Sequence, residues 1–171
     1  MRNSLIATVL SGMVLVPAQA QEYQIDTGHS ALIWGVQHLG LGNTYGRFND
    51  FGGTIIYDPD DLATSAVDVT VQIASIDSAD AKRDAHLRNA DVFDAGTFPT
   101  MTFRGEGFRP VAGKENTYAV DGEITLRGIS KPLSVEFVKI GQGPQPMMDN
   151  RPAVGFQSQF ILNRHDFGVG Q

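Results

Sequence analysis

Four histidines, His29, His38, His86 and His165, are the side chains best suited to bind a metal or move a proton. Three of them together with Asp84 or Asp166 could hold zinc or copper. No HxH, HxxH or HExxH spacing brings them together on one element, however. The plainer reading makes them polar residues at strand ends, bonded to loop backbone. Ser30 or Ser158 with one of these histidines would be the raw material of a hydrolase, but no G-x-S-x-G turn is present. The chain has no Cys, so thiol chemistry, disulfides, iron–sulfur clusters and Cys-ligated zinc are excluded. The stretch 77–99 gathers Lys82, Arg83 and Arg88 beside Asp84 and Asp94. Those charges either pair with one another across a loop or meet an anionic head group. Gly52-Gly53 and Gly105-Glu106-Gly107 fit no phosphate loop, because no helix follows; they read as strand bends or bulges.

Convergent polar chemistry is thus sparse, and the elements that would position it carry more information. The 171 residues fit one domain. A net charge of −6 argues against a broad grip on nucleic acid phosphates. With 42% hydrophobic and 19% charged residues the chain is not of disordered composition. Residues 1–20 read as a secretory signal: Arg2, an apolar run from Leu5 to Val16, then Pro17 and Ala18-Gln19-Ala20 before the cut. That run is too short for the ~20 residues of a membrane span. The expected domain is therefore 21–171, exported to the periplasm or, alternatively, secreted.

Period-two alternation dominates the rest. In Val67–Ile73 every odd position is apolar and every even one polar, the mark of a strand with one face on a core. Similar runs cover Ser30–His38, Gly46–Asp58, Thr100–Phe108, Tyr118–Leu126, Pro132–Ile140 and Ala153–Leu162, with a short one at Glu22–Asp26. About eight strands joined by short turns favour antiparallel neighbours. The expected fold is all-β, an antiparallel up-and-down barrel or a two-sheet sandwich. Ser78–Asn89 lacks alternation and reads as one short helix capped by Ser78 or Asp80. Gly42-Asn43 reads as a turn, and Gly141–Pro152 as a flexible loop. A small barrel is either filled by its own side chains or hollow enough for one slender apolar ligand, and periodicity does not choose between them.

Several motifs occur in order along the chain. They are Tyr23-x2-Asp26-x2-His29-Ser30, Val36-x-His38 and Gly46-x-Phe48; Ile76-Asp77-Ser78, Arg83-Asp84-x-His86-Leu87, Phe93-Asp94 and Phe98-Pro99-x2-Thr102-Phe103; then Gly122-x-Ile124-Thr125-Leu126-Arg127-Gly128-Ile129-x-Lys131-Pro132 and Asn163-Arg164-x-Asp166-Phe167-Gly168. This ordered set resembles the YceI-like family over nearly the whole of 21–171. The resemblance implies a lipocalin-like barrel whose apolar tunnel binds a polyisoprenoid such as a prenyl quinone or prenyl diphosphate, in an exported bacterial protein without catalytic activity, metal or cofactor. Members continue past the last motif with another strand, whereas this sequence ends at Gln171. That departure implies either a truncated sequence or a barrel with an open seam.

On this reading the tunnel lining is Trp34, Val36, Phe48, Val69, Val71, Met101, Phe103, Ile124, Leu126, Val135, Phe137, Phe156 and Phe160. His29, Arg83 and His86 are the head-group candidates. The expected partner is the lipid, with no nucleic acid and no integral membrane span, and a homodimer or a membrane redox partner stays open. Two other functions compete: a metal- or His-dependent hydrolase using His29, His86 or His165, and a filled barrel serving as a stress-related interaction module.

Overall fold

The computed structural model describes residues 20–170. The export signal read on residues 1–20 lies outside them apart from Ala20. Ten strands and one helix follow in chain order. They are β1 (Gln21–Gln24), β2 (Leu32–His38), β3 (Gly42–Phe48), β4 (Phe51–Tyr57), β5 (Ala66–Gln72), β6 (Ile76–Asp77), α1 (Ala81–Arg88), β7 (Thr100–Pro110), β8 (Thr117–Leu126), β9 (Ile129–Gln145) and β10 (Arg151–Ser158).

Every strand pairing is antiparallel, in the order β1-β4-β5-β7-β8-β9-β10, with β2-β3-β6 as a second sheet. The two sheets are continuous in sense. β3 and β4 form one bent strand broken at Asn49-Asp50, and its partner bends with it through β5, a 3-10 turn at Ile73–Ser75, and β6. Asn49 donates its N–H to the Ser75 carbonyl at 3.1 Å and Gln72 to that of Asp50 at 2.9 Å, which carries the pairing across the bend. The result is the expected up-and-down barrel, nearly closed. β1 and β2 lie at one edge and β10 at the other, and no ladder joins them.

Three local expectations differ. Gly46–Asp58 is not one strand, because of the bend, and the strand count is ten rather than about eight. The turn before β3 sits at Leu39-Gly40, both with positive φ, and Gly42-Asn43 is already strand. Gly141–Pro152 is mostly a paired hairpin, with β9 reaching Gln145 and β10 starting at Arg151. Its Gly and Pro content suggested a loop, but backbone pairing overrides propensity here. Pro152 lies on the edge strand, where a missing N–H is tolerated.

Inward-facing side chains form two clusters. Phe48, Val71, Ile73, Ile76, Ile124 and Leu126 pack at one end, beneath Val92, Phe167 and Val169 from the covering segments. Tyr57, Val67, Phe108, Val120, Val135 and Phe137 pack at the other. α1 is polar all round and contributes only Leu87 to the first cluster. The Asp80 carboxylate caps it by accepting from the N–H groups of Lys82 and Arg83.

Two glycines make this geometry. Gly107, at φ +70°, sits in a bulge of β7 pinned by its N–H on the Ser65 carbonyl at 2.8 Å. The bulge shifts the inward positions from Met101 and Phe103 to Phe108. Gly53, at φ +143°, faces β5 so closely that a Cβ would lie 2.0 Å from the Asp68 carbonyl oxygen. Gly53→Ala should therefore cost about 2 kcal/mol or more. The measurement is the thermal midpoint by circular dichroism, with a fall of roughly 5 °C or more. Gly52→Ala, with open space around its Cβ, should leave the midpoint unchanged.

Candidate functional site

The inner face between the two clusters is the candidate site. Val69 on β5, Phe103 on β7 and Leu133 on β9 each touch both clusters, yet each is only half-buried. These are central strands, and solvent still reaches these three inward-facing residues. On one flank of the seam, Tyr23 and Ile55 present half-buried apolar side chains; on the other, Val154 and Phe156 do so. Gly105 and Gly122 are neighbours across β7 and β8, beside Leu133 on β9, and a Cβ on Gly105 would lie 2.7 Å from Val120 Cγ1. At one end rings bridge the open edges in place of a ladder: Tyr57 meets Phe156 at 5.4 Å between centroids, and Phe108 meets Phe156 at 6.0 Å.

The thirteen lining candidates divide by burial. Phe48, Val71, Ile124, Leu126, Val135 and Phe137 are fully buried, in one cluster or the other. Trp34, Val69, Met101, Phe103 and Phe156 are half-buried against the clusters. Val36 is 45% exposed on the β2–β3 hairpin, and Phe160 is 43% exposed beyond the end of β10. Leu32, Phe51, Ile55, Leu133 and Val154 belong with the half-buried set, and alternation with Val135 and Phe137 was the signal for Leu133. The bulge at Gly107 hid Phe108. The Trp34 ring packs over Gly46, where a Cβ would sit 2.3 Å from it, and the buried indole N–H has no acceptor among the described residues. Such an orphan donor costs about 1–3 kcal/mol.

The polar candidates lie apart. His29, in the turn after β1, is 2.8 Å from the Asp26 carboxylate. His86, on α1, is 3.0 Å from that of Asp91. Arg83 donates to the Ser78 hydroxyl at 2.8 Å and to its carbonyl at 2.6 Å. Asp84 accepts from the Ser78 N–H at 2.8 Å. Arg83 and Asp84 thus hold the start of the helical segment together through Ser78, where the sequence suggested pairing with each other. The exposed His165 lies in the 3-10 turn Arg164–Phe167, and the exposed His38 ends β2. Among the described residues no three His, Asp or Glu side chains converge as metal ligands. No helix among them is long and apolar enough to cross a membrane.

Two surface depressions add nothing apolar and enclosed. One, of about 570 Å³, lies on the outer face and is lined by Asp68, Arg104, Glu106, Asp121 and Glu123. The other, of about 420 Å³, lies beside Asp91, Phe98, Arg127 and Phe167, with Arg127 bonded to the Gly168 and Ala90 carbonyls.

Local partners set the electrostatics. Hydrogen bonding to His29 holds the Asp26 carboxyl below its ordinary value of 3.8, and His86 does the same for Asp91. Asp77 is lowered chiefly by the Ala79 N–H, Asp80 by the Arg83 N–H, and Asp121 by the Ser134 side chain. Inside, the hydrogen bond to Tyr57 raises the Tyr118 phenol. Depressed carboxyls stabilise the fold above their unfolded pKa, and this is lost as pH falls through their folded values. Urea midpoints should thus fall between pH 5 and pH 3, in part through these five residues. Replacing all five by Asn should flatten that acid limb.

The sequence matches the YceI-like domain over residues 23–171. A UPF0312 protein of Vibrio vulnificus is 38% identical over 99% of this chain and 89% of its own length. A UPF0312 protein of Vibrio cholerae is 38% identical with the same coverage. Among solved structures, BcnA of Burkholderia cenocepacia superposes with a TM-score of 0.76 at 26% identity, covering 86% of each chain. A polyisoprenoid binding domain from Saccharophagus degradans, implicated in plant cell wall breakdown, shares the fold at a TM-score of 0.52 and 11% identity, covering 72% of this chain and 76% of its own. With a nearly closed antiparallel barrel, its unsealed seam and the full run of ordered motifs, the chain belongs to the YceI-like family.

Proposed function

We propose that this protein binds a long isoprenoid lipid along the inner face of its barrel and carries, stores or sequesters it in the periplasm. One observation carries the reading: Val69, Phe103 and Leu133 lie on central strands between two packed apolar clusters yet are only half-buried, as the walls of a hollow would be. Apolar surface in that position is stabilised by anything that displaces water from it. Each buried CH₂ contributes about 0.8 kcal/mol, so a few isoprene units support tight binding after the entropy of association is subtracted. The polyisoprenoid-binding name of the Saccharophagus neighbour agrees with this ligand class. The signal-like start of the sequence agrees with export. A carrier is favoured over a hydrolase because His29 and His86 lie on separate elements, each paired with its own Asp.

Organic extraction of the purified protein followed by mass spectrometry tests this, with a stoichiometric isoprenoid as the expected result. Val71 and Phe137 are poor mutational targets, because both are buried and a charge there would unfold the barrel. Val69→Trp and Leu133→Trp fill the hollow instead. Both should lose the lipid while keeping a cooperative unfolding transition. A lipid-free wild-type extract would favour the filled barrel.

A further inference from the structure

Five large apolar side chains stand exposed on one hairpin, β2–β3: Ile33, Val36, Leu39, Leu41 and Tyr45. Residues 31–46 contain no Asp, Glu, Lys or Arg, in a chain with 19 Asp+Glu and 13 Lys+Arg. Both faces of the hairpin are apolar. Ile33 and Tyr45 share one face, with the Tyr45 ring lying over Gly35, and Trp34 and Val36 share the other. At the apex Leu39 and Leu41, 80% and 88% exposed, flank Gly40. The Leu41 N–H closes the turn on the His38 carbonyl at 2.9 Å. Nothing lies within 4 Å of where a Cβ on Gly40 or Gly42 would sit, so the apex stands clear of the other described residues.

Apolar residues scattered singly are ordinary on a protein surface, but a contiguous uncharged set marks contact with something apolar. The outer edge of β2 is unpaired, which makes a second copy of this chain the rival occupant. Pairing along β2 ends at His38, however, and leaves Leu39 and Leu41 outside the ladder. Five side chains also fall short of the ~800 Å² per partner of a standard protein interface. A projecting tip suits a deformable phase, which closes round it without a matching groove. Charge agrees with a neutral surface: the net charge of −6 lies on the body of the barrel, which an anionic surface repels and a zwitterionic one does not. We propose that the β2–β3 apex docks the barrel on a lipid bilayer, with Leu39 and Leu41 entering the boundary between headgroups and acyl chains. Insertion is shallow, because the unpaired N–H and C=O groups along the β2 edge are costly in hydrocarbon. Tyr45 suits the boundary itself, with its ring in the apolar layer and its hydroxyl in water. This goes beyond the reading of the inner face and does not depend on it.

The test is flotation with phosphatidylcholine vesicles that contain no isoprenoid, prepared with and without phosphatidylglycerol. It uses the chain from Gln21 onward, which holds every strand and the helix and lacks the apolar run at Leu5–Val16. Wild type should float with phosphatidylcholine at low and high salt alike, and phosphatidylglycerol should not strengthen binding. The double substitution Leu39→Ser with Leu41→Ser should weaken partitioning by about tenfold or more, with the thermal midpoint unchanged because both side chains are exposed. Met147→Ser, at an equally exposed position between β9 and β10, should leave partitioning as it was. The chain has no Cys, so Leu41→Cys carrying an environment-sensitive dye reports on the apex directly, and its emission should shift to the blue when vesicles are added. Absence of wild-type flotation overturns the proposal. So does flotation that survives the double substitution, or that needs phosphatidylglycerol and is lost in salt. A lipid-free dimer in sedimentation equilibrium, made monomeric by the same double substitution, assigns the apex to a second copy and overturns the bilayer. None of these results touches the isoprenoid reading, which extraction and mass spectrometry test separately.

Discussion

An up-and-down sheet must do something with its two last edges, and here the backbone leaves them unpaired. Unpaired N–H and C=O groups along β1 and β10 are a liability that most barrels remove by closure. In this chain closure is made by side chains at one end. Tyr57 and Phe156 meet across the interior, Phe108 packs beside them, and Lys139 reaches the Tyr57 hydroxyl. The opposite end is covered differently, by Val92 from the β6–β7 connection and by Phe167 and Val169. The middle has neither kind of cover.

Polar groups on the outside are consumed locally. Asp26 takes His29, Asp91 takes His86, and Ser78 gathers Arg83 and Asp84. Exposed pairs of this kind contribute under about 1 kcal/mol each, so they shape loops more than they stabilise the barrel. Stability rests on the two apolar clusters, where Val120 is 0% exposed and Val135 1%. Chemistry that needs several polar side chains to converge is not built at these places.

The strands were legible because one face of each is buried, and burial imposes a period of two on sequence. That signal located the Val67–Ile73 and Tyr118–Leu126 runs almost to the residue. It failed where the period breaks. The bulge at Gly107 moves the inward face onto Phe108, and the break at Asn49-Asp50 turns one apparent strand into two. It failed again at Gly141–Gln145, where Gly, Pro and Gln carry no alternation but still pair across a hairpin. Alternation also placed Val36 and Phe160 with the lining, although one stands on a projecting hairpin and the other lies past the last paired residue.

By itself the amino-acid order determined the antiparallel all-β class, one short helix with its cap at Ser78 or Asp80, and which faces of most strands are apolar. These are local consequences of periodicity and capping, and each is written within about ten residues of chain. Tertiary structure alone decided which apolar residues are sealed and which are left half-buried, because burial depends on strands far apart in the chain. Val71 and Val69 look alike in sequence; only the packing across the barrel buries the first and leaves the second within reach of solvent. The same holds for Lys139 and Tyr57, 82 residues apart, which meet because the seam brings β9 and β4 together.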